Sequence, residues 1–299
     1  MNIQWYPGHM TKARRQMEAD LKQVSLVIEL ADARIPLGSR NPDIDRMAAG
    51  KDRLILLNKA DMADPAENDA WVKWYAARNI RAVLCDARNP RDVKAIRRAV
   101  TEVSAERMER NRRKGILNRP VRAMVCGIPN VGKSTLINSV AGRSAAKTGN
   151  KPGVTRSNQW IRLDRTLELL DTPGILWPKF EDPEVSVRLA LLGSISDQVV
   201  DSGELALELL KFMTREYPAL LAGWRKSTDE EDGGDEMPEL MAGDYAENAP
   251  YLRIMEREAR ARGCLRGGGN VDYDRIAAVM LNDFRAAKMG RITLEKATV

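Results

Sequence analysis

Short apolar runs and amphipathic stretches alternate through the first 170 or so positions of this chain. Residues 24–30, 53–57, 80–85 and 121–127 are compact apolar runs, short enough to be buried strands. Between them, 65–78 and 90–104 carry the spacing of helices, and 135–141 opens another helix after the fourth run. Strands alternating with helices predict a doubly wound, mostly parallel α/β sheet. Residues 159–163 and 166–171 are expected to pair as a hairpin around Asp164-Arg165. Ahead of the first strand, 11–23 reads as an amphipathic helix with Met17 and Leu21 on one side and Lys12, Arg14, Arg15 and Lys22 as its cations. Residues 107–122 form a strongly basic helix end and connector. Beyond Pro178 the strand pattern stops, and 183–192, 203–214, 249–262 and 272–288 all read as helices. The expected organisation is an α/β domain over 1–178 and a smaller all-helical domain over 179–299, with an acidic insertion near 227–248.

Composition refines this picture in three ways. The chain of 299 residues is 43% hydrophobic and 30% charged, which suits a water-soluble globular protein with a sizeable core. It has no apolar run approaching the ~18 residues of a membrane span, and its start lacks a signal-peptide pattern. Cys85, Cys126 and Cys264 stand singly, as in a protein of the reducing cytosol, so the expected location is cytoplasmic. The net charge of +6 is unevenly spread: 227–252 holds nine acids and no Lys or Arg, so 33 acids face 48 bases elsewhere, a balance of +15. Such an excess fits either a polyanionic partner, most simply RNA, or a well-solvated surface.

The chemistry lies at the ends of the apolar runs. Gly127-Ile128-Pro129-Asn130-Val131-Gly132-Lys133-Ser134 matches G-x-x-x-x-G-K-[ST] and follows a strand into a helix, as a phosphate loop must. Lys133 is expected at the β- and γ-phosphates and Ser134 on Mg2+, with Asn130, Val131, Gly132 and Thr135 also contacting the nucleotide. Asn58-Lys59-Ala60-Asp61 ends the second strand. The Asp61 carboxylate there can accept from guanine N1–H and N2–H2, donors that adenine does not present in that arrangement. Cys85-Asp86-Ala87 ends the next strand and stands where a loop would flank the base, Ala87 acting through its backbone. Asp171-Thr172-Pro173-Gly174 supplies a second Mg2+ position, Asp171, and a γ-phosphate sensor, the Gly174 N–H. Thr155 is the candidate for the second hydroxyl on Mg2+. These loops are the parts of a G-domain, but the guanine loop precedes the phosphate loop instead of following it.

That order resembles the circularly permuted GTPases, in which old termini are joined and new ones opened in a surface loop. The resemblance is strongest to the bacterial ribosome biogenesis GTPase A, or YlqF, family. It rests on Trp5-Tyr6-Pro7-Gly8-His9-Met10, Asp32-Ala33-Arg34-Ile35-Pro36, the three nucleotide loops, Ile175-Leu176-Trp177-Pro178, Arg262-Gly263-Cys264-Leu265, Leu281-Asn282-Asp283-Phe284-Arg285 and Gly290-Arg291-Ile292. It implies a GTPase, with GTP or GDP bound, that acts in late maturation of the large ribosomal subunit by contacting the precursor particle and its rRNA. The acidic insertion does not fit the family pattern. Where ordinary GTPases carry a water-orienting Gln, this chain has Ile175, which can neither donate nor accept. The resemblance assigns catalysis to His9, alongside Lys133. On sequence position alone the favoured reading of His9 is a partly exposed cap on the helix beginning near Thr11. Asn130 at its place in the loop suggests a bound K+ besides Mg2+. The free protein is expected to be a monomer without stable membrane anchoring. Competing readings are an RNA-binding scaffold with a structural nucleotide, an ATP-dependent enzyme and a membrane-associated regulatory GTPase. The cations 253, 257, 260, 262 and 266, then 275, 285, 288 and 291, are expected to form the RNA face, with Gly267-Gly268-Gly269 permitting close approach of a phosphate.

Overall fold

The computed structural model describes residues 10–116, 119–142, 159–174, 182–225 and 244–297. Helix α1 (Met10–Leu21) leads into β1 (Leu26–Asp32), followed by a short α2 (Asp43–Met47) and β2 (Asp52–Asn58). Then come α3 (Pro65–Ala76), β3 (Arg81–Cys85), α4 (Pro90–Arg113), β4 (Val121–Gly127) and α5 (Lys133–Ala141). The hairpin β5 (Gln159–Arg162) and β6 (Leu167–Asp171) completes a six-stranded sheet of order β3-β2-β1-β4-β6-β5. All neighbours are parallel except β5, an antiparallel edge strand on β6.

Alternation along β2 shows why the sheet is wound on both faces. Ile55 and Leu57 share a buried cluster with Trp71 and Tyr75 of α3. Leu54 and Leu56 belong to the other cluster, with Ile96 and Val100 of α4 and Ile137 and Val140 of α5. Helices start where capping residues stand: Asp64 and Asn89 each accept a backbone N–H and are followed by Pro at the first helical position.

Helices α6 (Pro183–Leu191), α7 (Ser202–Glu216), α8 (Pro218–Trp224), α9 (Asp244–Ala261) and α10 (Tyr273–Arg285) form the second half. Leu205, Leu209, Met213, Ile276, Met280 and Phe284 fill its core. The chain then returns to the sheet. Leu294 N donates to Arg34 O at 2.7 Å, Ile292 N to Met62 O at 3.2 Å, and Trp71 Nε1 to Glu295 O at 3.1 Å. The Glu295 carboxylate accepts from the Leu37 and Gly38 backbone N–H groups. The tail is thus a strap tying the helical half to the loops after β1 and β2.

The elements differ from expectation at β1 and in the short helices α2 and α8. Strand β1 lies two residues later than expected, at Leu26–Asp32, and the polar Asp32 can end it because nearby Arg34 and, from the neighbouring strand end, Lys59 satisfy its carboxylate. Helix α4 runs unbroken through Ser104 to Arg113, so the basic segment expected as a helix end is the last part of this one helix. Helix α8 was not foreseen; seven residues are too few to show a period. Asp244 to Asn248 of the expected acidic insertion belong to α9, and the rest of that insertion lies outside the described residues.

Candidate active site

Parallel strands bring their carboxyl ends to one edge, and the candidate loops all start there. In register, Asp32 lies beside Asn58, Asn58 beside Cys85, Leu30 beside Gly127, and Val125 beside Asp171. Asp32 and Asp171, 139 positions apart in the chain, thus end strands separated only by β4, on one edge formed by the ends of β3, β2, β1, β4 and β6.

Asn58 holds the edge together. Its Nδ2 donates to Val131 O of the phosphate loop at 2.7 Å. Its Oδ1 accepts from Ala87 N at 2.9 Å, which makes the expected backbone role of Ala87 an anchoring one. Lys59 adopts a left-handed φ of 61° and sends its Nζ to Asn130 O and to Asp32 Oδ2, both at 2.8 Å. Asp32 also takes a two-point ion pair from Arg34, at 3.0 Å for each bond. Burial alone would raise the Asp32 carboxyl, but Arg34 and Lys59 hold it well below the usual carboxylate range. Asp32 entered the sequence reading only through the family pattern. Its signal was an Asp at the end of an apolar run, the same position that Asn58 and Asp171 occupy on theirs.

The phosphate loop closes tightly on this frame. Gly132 has φ 102°, and a Cβ there would lie 2.4 Å from Asn58 Nδ2, so only glycine fits. Lys133 opens α5, buried, with its Nζ on Gly127 O and Ile128 O at 3.3 and 3.4 Å. Burial pushes its ammonium down to about 8, while Asp171 opposes the shift. A Cβ at Gly174 would lie 2.9 Å from Lys133 Nζ, so the 171–174 loop passes directly over the lysine. Asp171 is buried, and its Oδ1 has no hydrogen-bond partner among the described residues. Burial raises its carboxyl to about 6, with Lys133 opposing. An unpartnered buried carboxylate oxygen facing a phosphate loop fits a divalent cation that keeps much of its water shell. Among the described residues there is no group of three or more His, Cys, Asp or Glu able to enclose a metal, as Mg2+ shared with a nucleotide would not need one.

In the Asn-Lys-x-Asp loop, Asp61 is exposed. Arg88 Nη2 donates to Asp61 Oδ2 at 2.7 Å, and Arg88 Nε to Asp86 Oδ1 at 2.9 Å. Asp86 is thereby held low, chiefly by its hydrogen bonds from Arg88 against the effect of burial. Arg88 was not a sequence candidate. It gives Asp61 the type of N–H donor that a guanine edge would present. Asn130, in a left-handed conformation at φ 60°, donates its Nδ2 to Gly193 O of the helical half at 2.7 Å. Its Oδ1 is the atom through which any K+ would be held. His9, Thr155 and Ile175 lie outside the described residues.

A phosphate loop at the carboxyl edge of this strand order, preceded in the chain by Asn-Lys-x-Asp and followed by Asp171-Thr172-Pro173-Gly174, defines a circularly permuted GTPase. A family model described as 50S ribosome-binding GTPase matches residues 122–217, which takes in the phosphate loop and Asp171 but not the guanine loop that precedes them here. Ribosome biogenesis GTPase A of Priestia megaterium is 45% identical over 296 residues, 99% of this chain and 97% of that one. Mitochondrial ribosome-associated GTPase 1 of Mus musculus is 33% identical, over 98% of this chain and 90% of its own. Among solved structures, a GNP-bound YlqF from T. maritima superposes with a TM-score of 0.64 at 25% identity, covering 96% of this chain and 98% of that one. The chain belongs to the ribosome biogenesis GTPase A family.

The cations expected to face RNA divide on inspection. Arg262 lies over the Trp224 ring and pairs with buried Glu258 and with Asp283. Arg285 donates to Leu191 O, Ala190 O and Asp197. Arg291 Nε binds Ala63 O. Arg262 and Arg285 hold the helical half together, and Arg291 ties the start of the strap to the loop after β2. Arg253, Arg257, Arg260, Arg266, Arg275, Lys288 and Arg291 are exposed, and of these Arg266 is paired with Asp272 and Asp274, Lys288 with Asp283, and Arg275 donates to Gly263 O.

Proposed function

We propose that this GTPase acts on a precursor of the large ribosomal subunit, binds its rRNA through the exposed cations of the helical half, and changes that grip with the nucleotide. The observation that carries this reading is the coupling of the phosphate loop to the helical half: Asn130 binds Gly193, and Arg285 clamps the turn at Ala190 and Leu191 just before it. A shift of the loop when a γ-phosphate arrives would be felt at the start of the helical half. The names of the relatives support a ribosomal target.

In the chemistry proposed, Lys133 places its charge on the β- and γ-phosphates and Asp61 reads guanine. Ser134, Asp171 and Thr155 would hold Mg2+, which supplies electrostatic stabilisation of the phosphate oxygens. With Ile175 unable to orient water, His9 is the proposed orienting group, acting at the particle. Asn130 Oδ1 is the proposed K+ contact.

The test is GTP turnover with and without large subunits, in K+ and in Na+. Turnover should rise with subunits and more so in K+. His9→Ala should lose at least about tenfold of the stimulated rate, within the range of general-base losses, with GTP affinity unchanged. Equal turnover with and without particles would remove the ribosomal reading. A wild-type rate in His9→Ala would remove His9 alone.

A further inference from the structure

We propose that the cleft at the amino edge of the sheet, on the far side from the nucleotide, seats an unpaired nucleotide of single-stranded RNA. The proposal rests on the ribosomal reading above and adds a second RNA contact to it. The cleft lies between the end of α1, the second half of α4 and the start of β4, with a volume of about 660 Å3. That is within the ~300–1,000 Å3 range of small-ligand sites and leaves room for one nucleotide. Strand β1 is seven residues long, so the two sites are separated by roughly 20 Å at ~3.3 Å per residue.

Charge selects the ligand. Lys22, Arg107, Arg112, Arg119 and Arg122 line the cleft, against a single acid, Glu109. Arg107 is neutralised by Asp52, Arg122 by Glu168, and Glu109 already accepts from Arg113. Lys22, Arg112 and Arg119 are left without a carboxylate partner among the described residues. Three uncompensated cations around one concavity attract a phosphodiester.

The interior suits a base. Met108 and Ile116 are exposed apolar side chains on the lining, 40% and 42% accessible. Ser104 on the same lining is fully buried, and its hydroxyl has no hydrogen-bond partner among the described residues. At the margin, the Arg122 guanidinium lies 5.1 Å from the centre of the Trp160 ring, and Trp160 is 39% exposed on edge strand β5. An exposed indole beside an arginine is a stacking platform for unpaired bases. A membrane surface fits less well, because lipid binding needs a continuous apolar face rather than a basic concavity.

The experiment measures anisotropy of a fluorescein-labelled, mixed-sequence single-stranded RNA with the full chain at several KCl concentrations. Arg112→Glu/Arg119→Glu should weaken binding at least about tenfold and flatten the log–log salt slope by about 1.4, at ~0.7 per phosphate. Trp160→Ala should weaken it at least about fivefold. Both should keep wild-type affinity for a fluorescent GDP, which shows that the fold survives. A 4-thiouridine version should crosslink to peptides containing Met108 or Ile116. If wild type binds large subunits but both variants bind RNA like wild type and crosslinks map only to α9 and α10, the cleft inference fails and the ribosomal reading stands. If wild type binds neither subunits nor RNA, both fall. If the double variant loses only its binding to phosphatidylglycerol vesicles, the cleft is a membrane contact and the inference is overturned.

Discussion

The carboxyl edge of the sheet and the helical half treat charge in opposite ways. At the sheet edge, Lys133, Asp171, Asp32 and Lys59 are buried or nearly so, each within a frame of backbone carbonyls, strand ends and a glycine that admits no side chain. There a residue's type and place leave it one role. In the helical half, cations are distributed over helix surfaces, and two of the nine expected to grip RNA, Arg262 and Arg285, are instead mortar between helices. Charge on a helix does not declare its partner, because a guanidinium can span from surface to core along its apolar stem. A motif held by backbone geometry is therefore informative residue by residue, whereas a count of cations is informative only as a sum.

The largest effect that would sharpen this contrast comes from Lys133→Ala. Loss of a charge-assisted contact to phosphate should weaken GDP and GTP binding by about 100-fold, given ~1.5–3 kcal/mol per charged hydrogen bond and more than one bond. Thermal melting of the free protein should not fall, since burial already disfavours this ammonium. A melt that collapses with the binding would make Lys133 structural and break the comparison.

Next in size is Arg285→Ala, set against Arg253→Ala/Arg260→Ala. The first removes bonds to two carbonyls and to Asp197 and should destabilise the fold by about 2 kcal/mol. The second should leave the melt within error and weaken binding to large subunits, with a shallower salt dependence. If the two variants exchanged these behaviours, the division between mortar and RNA-facing arginines would be wrong.

Asp61→Asn should lower the preference for GDP over xanthosine diphosphate by about tenfold or more, since the amide inverts part of the acceptor pattern. Competition titrations read this directly, and unchanged selectivity would take Asp61 out of the base site.

The smallest effect is on pH. Lys133 is lowered to about 8 in the free protein by burial, so part of the population is neutral above that pH. The unfolded lysine keeps its proton up to its ordinary value of 10.5, so between about 8 and 10.5 the unfolded chain binds more protons and this group's contribution to stability grows with pH. Binding of phosphate favours the charged form, so GDP affinity without Mg2+ should fall severalfold from pH 7 to pH 9. Calorimetry in buffers of different ionisation enthalpy should show proton uptake on binding at pH 8. Absence of any uptake would mean that Lys133 is fully charged before the nucleotide arrives.

Much of the α/β half was legible in the sequence because its signals are local. Apolar runs of strand length, a Gly-Lys-Ser loop after one of them, and Asn-Lys-x-Asp after another specify backbone conformations that few other residues tolerate. Their order along the chain disclosed the permutation before any strand was paired. The number and approximate limits of α6, α7, α9 and α10 followed from apolar spacing in the same way.

Other features depended on pairs of residues far apart in the chain. No local pattern announces that Asn58 binds Val131, that Arg88 covers Asp61, or that the Asn130 amide reaches Gly193. The strap of Ile292, Leu294 and Glu295 over the loops after β1 and β2 joins positions more than 220 apart. Which arginines are buried under a neighbouring helix, and which remain for a partner, was settled only when the helices packed. Sequence determined the backbone conformations because those are set by each residue's own sterics and hydrogen-bonding groups. Tertiary structure decided the partners, because a side chain's partner depends on what the rest of the fold places within about 3 Å of it.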